Sequence, residues 1–424
     1  MPLSITTELY AAFSKHEGQC DSRNFSIAAH IRRLFEYTTS KLDFGVQWTQ
    51  LTLYVRHQPT MASLRAATRR LHQALPSTTN AIRTYSSQSS SSPSSSPRHL
   101  LSIADLTPAE FTTLVANAIS YKNALKTGLI PSTLQNSLAR RTIAMTFSKR
   151  STRTRVSTEA AVATMGGHAM FLGKDDIQLG VNESLRDTGV VVSSMVAGIV
   201  ARVGPHSDVA GLAEYSSVPV INALSDAFHP LQTIADFATV REAFGTGSPE
   251  GGLGLEGLKI AWVGDANNVL FDLAIGAAKL GVDLAVATPK GYEVPDAMRN
   301  VIKEAAKGVR DAGSLSETNE PLEAVKGADI IVTDTWVSMG QEEEKAKRLK
   351  AFADYQVTME MAKKGGAKSD WKFMHCLPRK PEEVSDEVFY SERSLVFPEA
   401  ENRLWAAISA LEGFVVNKGK IVEQ

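Results

Sequence analysis

The sequence predicts an α/β protein made of two doubly wound parallel-sheet domains joined by helices. Three observations carry this. From about residue 100 onward, short apolar runs alternate with helical stretches, the pattern of parallel sheets covered by helices. The runs fall into two sets of four, separated by the Gly-rich segment GTGSPEGGLGLEG (245–257), which reads as a loop. The unusual polar residues follow the strand ends, where open parallel sheets bind their ligands.

The first hundred residues differ from the rest. Residues 61–99 contain no Asp or Glu, and Arg65, Arg69, Arg70 and Arg83 are spaced through apolar and hydroxyl residues. An Arg-rich, Ser-rich, acid-poor leader of this kind is expected to direct a protein to the mitochondrion, here the matrix, with cleavage near Tyr85 in RTYSS. A disordered basic leader of another purpose is the alternative. A targeting leader must begin the chain, so translation is expected to start at Met61, with residues 1–60 a non-native upstream extension and residues 61–97 the leader and its Ser/Pro linker. Of the two cysteines, Cys20 then drops out and Cys376 remains, which fits a reducing compartment.

Within the folded part, Thr107-Pro108-Ala109-Glu110 reads as a helix start, with Thr as N-cap, Pro at the first helical position and Glu closing a capping box. Phe111, Leu114, Val115 and Ala118 follow at helical spacing. The first strand set is TIAMTF (142–147), HAMFL (168–172), GIVARV (198–203) and PVINAL (219–224). The second is KIAWVGD (259–265), DLAVATP (283–289), ADIIVTD (328–334) and WKFMHC (371–376). The expected first domain is 98–235, completed by a C-terminal helix at 402–424, and the second is 236–401.

The chain of 424 residues is 43% hydrophobic and 21% charged with a formal net charge of −1, an ordinary globular composition. That balance argues against a general nucleic-acid binder. No apolar run is long enough for a membrane span.

Against that neutral background, Lys149, Arg150, Arg153 and Arg155 crowd into KRSTRTR between a strand and a helix. Backbone N–H groups at a helix start bind anions, Ser151, Thr152 and Thr154 add hydroxyl donors, and Arg153 adds a forked charged contact. This composes a phosphate site without the Walker Gly-x4-Gly-Lys pattern. A solvated charge run is the alternative reading. WVGDANN lacks the dinucleotide glycine fingerprint, so Asn267 and Asn268 either bind a ligand carboxylate or cap the next helix. His229 and Gln232 in HPLQ and Cys376 in HCLPRKP are open to structural or catalytic roles. QEEEKAKRLK (341–350) reads as a solvated helix face. No Cys/His cluster has zinc spacing, and neither metal nor cofactor is expected.

STRTR, HPLQ, DTWVSMGQEEE, HCLPRKP and VFPEAENR, in this order and spacing, resemble the aspartate/ornithine carbamoyltransferase family over roughly residues 100–415. DxxxSMG and HCLPR point to the ornithine branch; the aspartate branch has Pro where this chain has Cys376. The resemblance implies transfer of the carbamoyl group of carbamoyl phosphate to the side-chain amine of L-ornithine. It implies that Ser151, Thr152, Arg153, Thr154 and Arg202 bind phosphate. His229, Gln232 and Arg403 surround the carbamoyl group, and Asn268, Asp334, Ser338 and Met339 hold ornithine. Cys376 and Leu377 lie in a loop closing on both substrates. Cys376, Arg403, His229 and Asp334 are the expected catalytic residues. It further implies a homotrimer with sites at subunit interfaces and a loop containing Gln178 that reaches a neighbouring site. A carbamoyltransferase for another amine, a non-catalytic anion-binding protein on the same fold, and nucleic-acid binding through KRSTRTR are the competing functions.

Overall fold

The computed structural model describes residues 96–174, 183–245, 252–337 and 344–424. The expected upstream extension, nearly all of the expected leader and Gln178 lie outside them.

Two parallel sheets form the frame. The first runs β2-β1-β3-β4, with β1 Thr142–Phe147, β2 His168–Gly173, β3 Gly198–Arg202 and β4 Val220–Leu224. The second runs β7-β6-β5-β8-β9, with β5 Lys259–Val263, β6 Asp283–Ala287, β7 Leu315–Thr318, β8 Ile330–Val332 and β9 Lys372–Met374. Eight of the nine coincide with the apolar runs. The strand β7, SLSET, was not expected: it is a sheet edge with two exposed residues, so it carries no apolar run to betray it. The central strands β3, β5 and β8 are buried along nearly their whole length, as a sheet covered on both faces requires.

Helices fill the crossovers. In the first half these are α1 Pro108–Lys126, α2 Thr152–Thr164, α3 Leu185–Ser193, α4 His206–Tyr215 and α5 Pro230–Phe244. In the second they are α6 Asn268–Lys279, α7 Asp296–Ala306, α8 Pro321–Ala324, α9 Lys345–Ala351, α10 Met359–Gly365 and α11 Asp386–Phe389. The last helix, α12 Val396–Leu411, comes after the second sheet yet packs on α1, α2 and α5 of the first half. The capping box at α1 forms as expected: Glu110 N–H donates to Thr107 Oγ1 at 3.2 Å, and Thr107 N–H donates to Glu110 Oε2 at 2.9 Å.

The sequence YKNALK and its neighbours on α1 make a polar tie to α12: Lys122 Nζ donates to Asn402 Oδ1 at 2.9 Å and to Glu242 at 2.7 Å. One hydrophobic core then runs through α1, α5, α6, α12 and both sheets, with Phe111, Phe237, Trp262 and Phe414 fully buried in it.

One expectation is corrected here. The stretch QEEEKAKRLK is not wholly a solvated face. Residues 341–343 lie outside the described residues, but Arg348 on α9 is buried and pairs with Asp265 at 2.5 Å. Its guanidinium also lies over the Tyr292 ring, 4.8 Å from the centroid. A long side chain in a run of charges can reach a buried partner while its neighbours stay in water.

The two halves meet where α6 crosses α5 and α1. Gly276 makes this approach possible. A Cβ there would stand 2.7 Å from a Phe237 ring carbon and 3.0 Å from a Phe111 ring carbon. Those two rings are themselves packed edge to face at 5.6 Å, so neither yields freely. Gly276→Val is expected to cost about 1–3 kcal/mol by overpacking, read as a lower urea midpoint at unchanged slope. A midpoint equal to that of the wild type would mean the helices can part without penalty.

Candidate active site

In each sheet the strand order reverses beside one central strand, opening a crevice beyond the carboxyl ends of the strands. In the first sheet this lies between β1 and β3, which deliver the SKRSTRTR loop and Arg202. In the second it lies between β5 and β8, which deliver Asp265-Ala266-Asn267-Asn268 and Asp334. Next to β8, β9 ends at His375-Cys376-Leu377.

At the first crevice Ser151 is the N-cap of α2. Its Oγ accepts the Thr154 N–H at 3.2 Å and donates to Thr154 Oγ1 at 3.0 Å. The Thr152 and Arg153 N–H groups remain at the helix start with the positive end of its dipole. Thr154 is buried, and two guanidinium groups converge on its hydroxyl: Arg202 Nη1 at 3.5 Å and Arg403 Nη2 at 3.4 Å. Burial, with repulsion from Arg153 at both and from Arg403 at Arg202, pushes Arg202 and Arg403 down to about 10. Arg202 Nε, Arg403 Nε and His229 Nδ1 are buried with no hydrogen-bond partner among the described residues. His229 is held well below the ordinary histidine range, first by burial and then by the three arginines, so its imidazole is neutral.

Behind the arginines lies an acidic layer. Arg403 Nη1 donates to Gln232 Oε1 at 2.6 Å, which turns the Gln232 amide nitrogen toward Asp236 at 2.8 Å and Glu399 at 3.1 Å. Burial raises Asp236 to about 7 and Glu399 well above the ordinary carboxylate range; the charge of Asp236 adds to the rise at Glu399, while the hydrogen bond from Glu399 favours the ionised form of Asp236. The pair therefore holds a proton at neutral pH. Glu399 Oε2 also accepts the His375 N–H at 2.9 Å, so α12 touches the end of β9 as well.

At the second crevice Asn267 resolves the two readings of the Asn pair. Its Oδ1 accepts the N–H groups of Val269 and Leu270 at 3.0 and 3.3 Å, so it caps α6, while its Nδ2 donates to Asp334 Oδ2 at 2.8 Å. Asn268 donates to the Ser225 carbonyl at 2.5 Å. The other Asp334 oxygen accepts the Cys376 thiol at 3.1 Å. Burial first, and then the charge of Asp334, pushes that thiol well above its ordinary value, so it stays protonated.

The loop after β9 joins the two crevices. Leu377 has φ +63, a left-handed conformation that costs a leucine roughly 1–2 kcal/mol. It is held at both ends: its N–H donates to His375 Nδ1 at 2.9 Å, and its carbonyl accepts Arg153 Nη2. Because His375 Nδ1 accepts, its proton sits on Nε2, which donates to Glu383 Oε2 at 3.1 Å. Asp334, His375 and Cys376 lie close enough for a metal, within 4.8 Å of one another, but their donor atoms are already committed to this network.

Thus Ser151, Thr152, Arg153, Thr154, Arg202, His229, Gln232 and Arg403 lie together around the start of α2. Asn268, Asp334, Cys376 and Leu377 line the adjoining crevice. Ser338 and Met339 lie outside the described residues. Sequence reading missed Asp236, Glu399, His375 and Glu383. The first two had a signal: Asp236 lies one helical turn from Gln232, and Glu399 one turn from Arg403, so each shares a face with a candidate. Glu383 had none.

The acid pair makes stability depend on pH. Unfolded carboxyls release their protons near pH 4, while the folded pair keeps one to about 7 and beyond. In that window the native state binds more protons, so stability falls as pH rises. Glu399→Gln, which can still donate to Asp236 and accept from His375, is expected to flatten the loss. Urea midpoints at several pH values between about 5 and 8 test this; equal slopes in both proteins would place the proton elsewhere.

Two domain models of one family match the chain. Residues 98–242 match the carbamoyl-P binding domain of aspartate/ornithine carbamoyltransferase, and residues 256–413 match its Asp/Orn binding domain. A mitochondrial ornithine carbamoyltransferase of Aspergillus terreus is 71% identical over 356 residues, 83% of this chain and 97% of its own length. One from Schizosaccharomyces pombe is 56% identical over 77% of this chain and 97% of its own. The crystal structure of a mitochondrial ornithine carbamoyltransferase from Coccidioides immitis superposes with a TM-score of 0.73 at 69% identity, covering 77% of this chain and 100% of that one. That of the Pyrococcus furiosus ornithine carbamoyltransferase gives 0.69 at 43% identity, over 76% and 98%. The chain belongs to the aspartate/ornithine carbamoyltransferase family.

Proposed function

We propose that the chain is a carbamoyltransferase that moves the carbamoyl group of carbamoyl phosphate to the side-chain amine of L-ornithine, giving L-citrulline and phosphate. The observation that carries this is the joining of an arginine-lined anion volume to the Asp334–Cys376 pair through one loop, by the contact of Arg153 with Leu377. The identity to mitochondrial ornithine carbamoyltransferases agrees with it, and the protein is mitochondrial. The matrix is the compartment we propose.

The geometry supports the following roles. The phosphate group sits against the start of α2, with Ser151, Thr152, Arg153 and Thr154 as donors and Arg202 alongside. The carbamoyl oxygen lies toward Arg403, Thr154 and the neutral His229, which stabilise the charge it gains in the tetrahedral intermediate. Gln232 aims Arg403. Phosphate departs with its charge already neutralised, so the chain's own arginines supply the electrostatic stabilisation.

Ornithine's side-chain amine has an ordinary pKa of about 10.4, taking lysine as its analogue, and it attacks only when neutral. Asp334 attracts the ammonium form, and Asn268, Ser338 and Met339 complete the ornithine subsite. The raised Cys376 thiol makes it a hydrogen-bond donor that orients Asp334, not the group that accepts the amine's proton. We also propose a homotrimer with sites at subunit interfaces, completed by the loop containing Gln178. The exposed apolar side chains Val156, Met170, Val190, Val191 and Met195 on the first domain support such an interface.

The direct test is citrulline formation from carbamoyl phosphate and L-ornithine, with aspartate and putrescine run beside it. Turnover is expected with ornithine alone, and Arg153→Ala is expected to lose at least about 100-fold in kcat/KM, the scale of one lost charge-stabilising donor. Turnover with aspartate or putrescine in place of ornithine would overturn the substrate assignment.

A second pair of variants separates the roles at the amine. Cys376→Ser keeps a donor for Asp334 and is expected to retain the acid limb of the kcat/KM profile. Asp334→Asn is expected to lose about 100-fold or more in kcat/KM for ornithine. A shifted acid limb in Cys376→Ser would make the sulfur the proton acceptor.

A further inference from the structure

The two halves share a second connection, at the loop that leads into α5. Asp272 lies on α6, four residues after Asn268, so both side chains occupy one face of the helix. That face meets the Ser225–His229 loop, which leads into α5. Asn268 donates to the Ser225 carbonyl at 2.5 Å, at the start of this loop. Asp272 Oδ2 accepts the His229 N–H at 2.8 Å, at its end. The other oxygen, Oδ1, accepts the Ser102 hydroxyl at 2.7 Å and the Ile103 N–H at 3.0 Å in the turn before α1. Asp272 is fully buried, and its two oxygens serve different parts of the chain.

We infer that Asp272 is a positioning residue for the carbamoyl-transfer step: through Oδ2 it fixes the His229 backbone, so a carboxyl of the ornithine-binding half sets the imidazole of the carbamoyl phosphate half. The inference rests on the proposed role of His229 at the carbamoyl oxygen. His229 opens α5 without a side-chain cap, and its Nδ1 has no partner among the described residues. Its carbonyl accepts the Gln232 and Thr233 N–H groups at 3.0 and 3.2 Å within its own helix, so the carboxylate at its N–H is the contact that ties this residue to the other half. The loop's internal bonds, from Ser225 N–H to the Phe228 carbonyl and from Phe228 N–H to Ser225 Oγ, stop one residue short of it. The second oxygen has a separate task, tying down the leading turn.

This division gives the test. Asp272→Ala is expected to lower kcat for citrulline formation at least tenfold, with KM for carbamoyl phosphate within about threefold, because His229 contributes most once charge develops on the carbamoyl oxygen. Ser102→Ala, which removes a donor to Oδ1 and the cap on the Ala104 N–H but leaves Oδ2 untouched, is expected to lower the melting temperature while leaving kcat within about twofold. If Asp272→Ala does not fold, Asp272→Asn keeps the volume but leaves one acceptor oxygen for two opposed N–H groups, and kcat is expected to fall at least about threefold. Wild-type kcat in the alanine variant, or in the asparagine variant where alanine does not fold, overturns the inference. So does an equal loss of kcat in Ser102→Ala, which would make the effect one of general stability. His229→Ala serves as the control: if it turns over as wild type, the site reading itself fails, whereas if it is impaired and Asp272→Ala is not, only the positioning role fails.

Discussion

Three guanidinium groups share one small buried volume. Arg202 and Arg403 reach the same Thr154 hydroxyl, and Arg153 adds to the charge that both feel. Two unit charges about 7 Å apart repel by about 2 kcal/mol at an effective dielectric of about 20. Without compensation, this arrangement would favour unfolding. A dianion removes the repulsion and gains the charge of all three, so what destabilises the unliganded site strengthens carbamoyl phosphate binding. The neighbouring groups are arranged so that the positive field survives folding. Asp236 and Glu399 stand behind the arginines, but their shared proton keeps them from cancelling the field that the substrate needs. His229 stays neutral within the same field and adds a polar group without a fourth charge.

The fold brings these groups together by ordinary rules of sheet topology. Each sheet opens one crevice where its strand order reverses, and each crevice collects loops from two neighbouring strands. What is particular here is the pairing of the two crevices. The helix α12 supplies Arg403 to the first and, through Glu399, supports the end of β9 in the second. Close packing of α6 on α5 at Gly276 sets the approach of the halves. Catalytic geometry at the centre thus depends on packing some distance away.

Much of this was legible in the sequence, for identifiable reasons. The central strands β1, β3, β5, β6 and β8 must be apolar runs, and the edge strands β2, β4 and β9 carry such runs too, so eight of the nine among the described residues could be read directly. The edge strand β7 pairs on one side only and, unlike the other edges, leaves its polar Ser316 and Glu317 exposed instead of carrying such a run. The arginine cluster stood out because its charges follow a strand in a chain of nearly zero net charge. Arg348 was misread for the converse reason: its neighbours are solvated, and only the tertiary partner Asp265 shows that it is not. The acidic layer of Asp236 and Glu399 stayed hidden because helical acids are usually surface residues, although the one-turn spacing to Gln232 and Arg403 was available. Glu383, eight residues from His375, meets it only through the fold.

The nucleophile's half of the site follows a different logic from the anion's half. Carbamoyl phosphate arrives charged and needs cations; ornithine arrives protonated and must lose a proton before it attacks. A site that held only anions would bind the ammonium tightly and keep it unreactive. Here Asp334 has both oxygens engaged, one by Asn267 and one by the Cys376 thiol, which disperses its charge without removing it. The thiol is suited to that task because burial and nearby acids keep it protonated. The strained Leu377 backbone, held by His375 and Arg153, fixes the sulfur's neighbour in the chain to the phosphate side. Arginine charge on one side therefore lowers the affinity of the adjoining crevice for an ammonium relative to an amine, and the same three residues proposed to bind the leaving group favour the reactive form of the nucleophile.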